Sequence, residues 1–119
     1  MTSQDEVSGF LQTFFAKYRV FDIVFRDGRP KNVQTLLDLE ITPLIRRQII
    51  ESLETVDYSE GPLDDRLHGI NSMWVFGRTH KDIEIYIKIS MGMPGSRVIC
   101  ISFHPAEYPI RYPFKKEKL

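Results

Sequence analysis

Apolar positions fall at two different periods along this chain. From about Asp5 to Tyr18, Val7, Phe10, Leu11, Phe14 and Phe15 recur at three- and four-residue spacing, which predicts a helix with one buried stripe. Ser3 or Thr2 is placed to cap it. Val20 to Phe25 is β-branched and aromatic and reads as a short strand, with helix the competing assignment. Asp27-Gly28 ends it with a turn. Asn32 to Glu40 reads as a short helix. Thr42-Pro43 then opens another, since Thr is a good N-cap and Pro suits the first helical position. Asp57 to Ser72 is dense in Asp, Ser, Gly, Pro and Asn and reads as a long loop, a feature that is often functional. After it the period becomes two. Met73 to Arg78, Ile83 to Ser90 and Val98 to Phe103 read as strands, with turns around His80–Asp82 and Gly92–Gly95. A three-stranded antiparallel meander is the simplest arrangement. The tail HPAEYPIRYPFKKEKL, about residues 104–119, carries three prolines and is expected to be extended.

Helices followed by a run of strands predict a single α+β domain over residues 1–119, with the N-terminal helices on one face of a small antiparallel sheet. In the second strand Ile83, Ile85, Ile87 and Ile89 share a face, and Glu84, Tyr86, Lys88 and Ser90 share the other. In the third, strict alternation groups Ile99, Ile101 and Phe103 against Val98, Cys100, Ser102 and His104. Packing the isoleucines on the helices leaves Tyr86, Lys88, Ser102 and His104 on a second face, which Arg78 could join.

Any sheet with one solvated face alternates apolar and polar residues. The polar set here, however, is Tyr, Lys and His rather than Thr, Ser and Gln, a mixture suited to phosphodiester chemistry. In RNA cleavage the 2′-hydroxyl is the nucleophile. The protein supplies a base, an acid for the leaving 5′-oxygen, and cations for the phosphate. An imidazole such as that of His104 transfers protons near neutral pH. Lys88 and Arg78 can hold phosphate charge, and Tyr86 can donate a hydrogen bond. Glu60, in the predicted loop, is a candidate general base, although an acidic loop that includes Asp64 and Asp65 is more often simply solvated. Trp74 reads as core rather than as a base-stacking platform.

Composition narrows the classes without naming one. With 119 residues, 42% apolar and 27% charged, the chain can bury a core without disulfides or a metal. No apolar run approaches the roughly 20 residues of a membrane helix. The N-terminus lacks the basic and apolar regions of a secretory signal, so a cytoplasmic location is expected, without membrane association. The lone Cys100, within VICISF, fits a reducing compartment. His68, His80, His104 and Cys100 are too scattered for zinc-ligand spacing, so no metal site or cofactor is expected. Nucleotide-triphosphate and α/β-hydrolase motifs are missing from the sequence. Sixteen basic and sixteen acidic residues balance, which argues against a general nucleic-acid coat. Lys and Arg recur in the C-terminal half, a pointer to an anionic ligand.

The segments LEITPLIRRQIIESLETVDYSEGP, MWVFGR, EIYIKISMG and VICISFHPAE, from about Thr35 to Glu107, together resemble the MqsR-type (motility quorum-sensing regulator) toxins. Tyr86-Ile87-Lys88-Ile89-Ser90 and Ile101-Ser102-Phe103 are the nearest parts. The resemblance implies a RelE-like fold, metal- and ribosome-independent endoribonuclease activity on mRNA, and neutralisation by a cognate antitoxin. It makes Tyr86 functional, with Lys88 beside it. Glu60 and His104 stand where the family has lysines, and Val75 stands where it has glutamine. Histidine at the last position keeps proton transfer at neutral pH. The expected site is therefore Tyr86, Lys88 and His104 for catalysis, with Arg78, His80 and Arg97 binding RNA and Glu60 as a general base. The alternative is a non-catalytic protein-interaction module on the same fold, suggested by the neutral charge and the changed positions. Homo-oligomerisation through the extended tail, with a homodimer its simplest form, is a variant of that alternative.

Overall fold

A computed structural model describes residues 1–64 and 72–115. Asp65, His68, Lys116 and Lys118 lie outside the described residues. The elements are helices α1 (Gln4–Phe21), α2 (Pro30–Asp38) and α3 (Pro43–Glu51), and strands β1 (Ile23–Phe25), β2 (Tyr58–Leu63), β3 (Met73–His80), β4 (Ile83–Ser90) and β5 (Val98–Pro105). A single 3₁₀ turn, Thr55–Asp57, leads into β2. The protein is α+β, with one five-stranded sheet in the order β1-β5-β4-β3-β2.

The helix starts follow their local sequence. The Ser3 hydroxyl accepts from the Glu6 amide, and the Glu6 carboxylate accepts from the Ser3 amide, both at 3.2 Å, a reciprocal cap. The Thr42 hydroxyl accepts from the Ile45 amide at 3.2 Å, and Pro43 occupies the first helical position. Val7, Leu11 and Phe14 of α1 and Ile49 and Ile50 of α3 are buried with Phe76, Ile85, Ile87, Ile89, Cys100 and Phe103 of the sheet. This core lies between the helices and one sheet face. Trp74 belongs to that side, stacked on Phe10 with ring centroids 4.4 Å apart.

Four expectations need correction. Val20 and Phe21 close α1, so the first strand is only Ile23–Phe25, and it pairs in parallel with β5. A short apolar run carries no period able to separate helix from strand. The predicted loop after Asp57 contains β2, which pairs antiparallel with β3. Register shifts on both sides of Glu60, the second spanning Gly61 and Pro62, interrupt that pairing and erase the alternation a strand normally shows. The sheet is therefore a mixed five-stranded one rather than a three-stranded meander.

The last correction concerns the faces of β5. Lys88 pairs with Ser102, but Ile89 pairs with Cys100, so Ile101 is an extra residue in β5. This β-bulge exchanges the faces on either side of it. Val98, Cys100 and Phe103 all join the core, while Ser102 and His104 share the opposite face.

The tail after β5 is not strand, but it does not project from the sheet. The Glu84 carboxylate accepts from the Ile110 amide and from the Tyr112 hydroxyl, both at 2.8 Å. Burial, and then that hydrogen bond to a carboxylate, push the Tyr112 phenol well above its ordinary pKa, so it remains the donor. Gly77 lets the tail approach: a Cβ there would lie 2.3 Å from Tyr112 Oη and 2.8 Å from Ile110 Cδ1. Gly77→Val is therefore expected to lift the tail off the sheet, at about 1–3 kcal/mol of overpacking. Trypsin cleavage at Arg111 should quicken while the helix signal in circular dichroism persists. Equal cleavage rates in the two proteins would disprove the tail's dependence on this glycine.

Candidate active-site cleft

The sheet face away from the core floors an open cleft of about 850 Å³. Its floor follows from strand register. Tyr86 sits opposite His104 and Lys88 opposite Ser102 on paired strands, so the four side chains emerge together. Arg29 and Lys31, at the start of α2, form one wall. Ser59 and Glu60 of β2 form another, and tail residues Glu107 to Arg111 form the rim.

Tyr86 and His104 stack with ring centroids 5.3 Å apart at an interplanar angle of 17°. Lys88 Nζ lies 5.8 Å from the Tyr86 ring centroid. His104 Nδ1 is 2.9 Å from the Pro105 carbonyl oxygen. A carbonyl only accepts, so Nδ1 carries the proton in that contact, and Nε2 of the neutral ring holds the lone pair. Burial raises the Tyr86 phenol pKa, the Glu60 charge raises it further, and Arg29 opposes the rise. Tyr86 is thus held as a hydrogen-bond donor rather than a phenolate. Four cationic side chains line the cleft (Arg29, Lys31, Lys88 and Arg111) against two acidic ones (Glu60 and Glu107), although the whole chain is neutral. Lys31 and Glu107 pair across the rim.

The structure gathers Tyr86, Lys88, His104 and Glu60 in this cleft but not Arg78, His80 or Arg97. Gly77, not Arg78, pairs with Tyr86, so Arg78 and His80 lie on the helix side with Phe76. Arg78 there donates to the Ser52 hydroxyl, the Ser52 carbonyl and the Asp57 carboxylate. His80 Nε2 is buried. Arg97 is exposed in the β4–β5 loop, just before β5, where its charge helps keep the Asp22 carboxyl low, after Arg47 and the Ile23 amide. His104 is at the other end of that strand. Arg29, Lys31 and Arg111 are cleft cations that the sequence reading missed. The run Arg29-Pro30-Lys31 before a helix was a visible signal, but its place beside Ser102 depends on the parallel β1–β5 pairing and the bulge.

Cys100 is only 1% exposed, and burial pushes its thiol up to about 12, so it is no nucleophile near neutral pH. Among the described residues, no three His, Cys, Asp or Glu side chains group in a way that would hold a metal ion. No described helix is long and apolar enough to cross a membrane.

Comparison with known proteins finds no matching family model, no matching curated protein and no matching solved structure.

Proposed function

We propose that this protein is a metal-independent endoribonuclease of the RelE-like toxin type, related to the MqsR toxins, acting on mRNA in the cytoplasm and held in check by a cognate antitoxin protein. The observation that carries the reading is the convergence of Tyr86, Lys88 and His104 in one cleft that is cationic on a neutral chain. Val75 lies opposite Lys88 on the cleft face of the sheet but is fully buried and does not line the cleft, so its difference from the family's glutamine leaves the lining groups in place.

The chemistry needs no nucleophile from the protein. His104 Nε2 takes the 2′-hydroxyl proton as the 2′-oxygen forms its bond to phosphorus. The bond from phosphorus to the 5′-oxygen breaks, and that oxygen takes a proton from water while the proton held by His104 returns to solvent, giving a 2′,3′-cyclic phosphate and a 5′-hydroxyl. Glu60, a carboxylate of the cleft wall, is the alternative base. Lys88 and the Tyr86 hydroxyl stabilise charge on the phosphoryl oxygens.

The test is incubation of purified protein with cellular RNA in EDTA, followed by mapping of the new ends. Cyclic phosphate and 5′-hydroxyl ends are expected, with Tyr86→Phe slowing cleavage by about 10²-fold through loss of one donor. Intact RNA from folded protein would sink the reading and favour a protein-interaction module.

A further inference from the structure

The scheme above leaves Arg29 without a role. Arg29 is the residue before α2 and makes no side-chain cap for it. Its Nη1 instead donates to Ser102 Oγ at 2.9 Å and to the Ile101 carbonyl at 3.3 Å. Both acceptors belong to β5, and Ser102 is only 2% exposed. Ile101 is the bulge residue, and its carbonyl also accepts from the Asn32 side-chain amide at 3.0 Å. Asn32 in turn accepts from the Phe103 amide at 3.1 Å, so it closes the edge of β5 where β1 stops. An otherwise exposed arginine is thereby fixed on a rigid strand.

Its remaining donors have a different status. Arg46, Arg47 and Arg78 each pair with an aspartate. Arg29 is bound only by neutral acceptors, through one of its three nitrogens. Nε and Nη2 have no hydrogen-bond partner among the described residues, and its charge has no carboxylate partner there. The guanidinium lines the cleft, next to the strand residue two before His104 and within electrostatic reach of Tyr86. A planar fork with two free donor positions matches the paired oxygens of a phosphate.

We propose that Arg29 is the phosphate-binding residue of this cleft, its Nε and Nη2 groups taking the two non-bridging oxygens of the RNA phosphodiester that His104 and Tyr86 address. This rests on the ribonuclease reading of the same cleft. Ser102 and the Ile101 carbonyl are its positioning groups. Lysine at this position keeps the charge but loses the fork, so charge and geometry are separable.

The experiment titrates inorganic phosphate into ¹⁵N-labelled protein, following the Arg29 Nε resonance and the Ser102 and His104 amides. In parallel, a mixed-sequence 2′-O-methyl RNA, which binds but cannot be cleaved, is titrated by fluorescence anisotropy. Arg29→Ala is expected to weaken RNA binding by about 10- to 100-fold, the worth of a hydrogen bond to a charged group. Arg29→Lys should recover much of the binding but leave cleavage of unmodified RNA more than about tenfold slow, because bidentate geometry is lost. Added guanidinium ion should partly restore the alanine variant. Thermal melts confirm that both variants fold, and Arg29→Lys carries the test if Arg29→Ala does not. Phosphate perturbations elsewhere, or a response to phosphate with no RNA binding, would overturn the assignment. Undiminished cleavage by Arg29→Ala overturns the role of Arg29 and keeps the ribonuclease. Phosphate and 2′-O-methyl RNA bound at Arg29 by a protein that leaves unmodified RNA intact removes the ribonuclease and keeps the site.

Discussion

His104→Ala is expected to slow RNA cleavage by about 10²- to 10⁴-fold, the range a positioned proton-transfer group contributes. The argument is geometric. The Pro105 carbonyl accepts a hydrogen bond from Nδ1–H and the Tyr86 ring stacks on the imidazole, so Nε2 is the basic atom of a ring that lines the cleft. Removing the ring removes the base and leaves the cations, so binding of uncleavable RNA should fall far less than the rate. Half-buried and stacked at the end of a strand, His104 contributes little to the core, and melting should stay within a few degrees of the parent. Cleavage rates of the two proteins on the same RNA check the assignment. If the variant cleaves at the parental rate, the base lies elsewhere and Glu60 becomes the residue to change.

The second large effect falls on stability rather than on chemistry. Arg78→Met should cost about 3 kcal/mol, because it leaves the Asp57 carboxylate buried without its cation. Asp57 is 4% exposed and accepts from Arg78 Nη2 at 2.5 Å and from the Glu54 amide at 2.8 Å. The same guanidinium holds both the hydroxyl and the carbonyl of Ser52, the residue that ends α3. One side chain therefore clasps the end of α3, the 3₁₀ turn and β3. A loss of that size lowers the melting temperature by roughly 10 °C in a chain of this length. Cleavage per folded molecule at low temperature should be nearly unchanged. A variant that melts like the parent but no longer cuts RNA would move Arg78 into the chemistry.

What the sequence made legible was local. The caps at Ser3 and Thr42 and the isoleucine alternation of β4 are consequences of neighbouring residues, and the structure has them as expected. The Tyr86, Lys88 and His104 grouping followed from alternation in two adjacent strands. What escaped was non-local. The parallel place of β1 depends on β5, some 75 residues away by their register. β2 hides behind Gly61 and Pro62. Arg78 looked like a cleft residue because parity within β3 does not say which face meets the helices, and its real partners, Ser52 and Asp57, lie on another part of the chain. Arg29 escaped for the same reason, since its anchor is on β5.

The bulge at Ile101 has a consequence for comparing this chain with any relative. Strand β5 is written in two reading frames, one for Val98 and Cys100, the other for Phe103 and His104, and the extra residue is the frameshift between them. A relative without the bulge would be one residue shorter here and yet present the same side chains to the core and to the cleft. The gap in such an alignment belongs at Ile101 itself. Placed three residues later, at His104, it would set the relative's histidine against the core phenylalanine, and a preserved site would be read as a lost one.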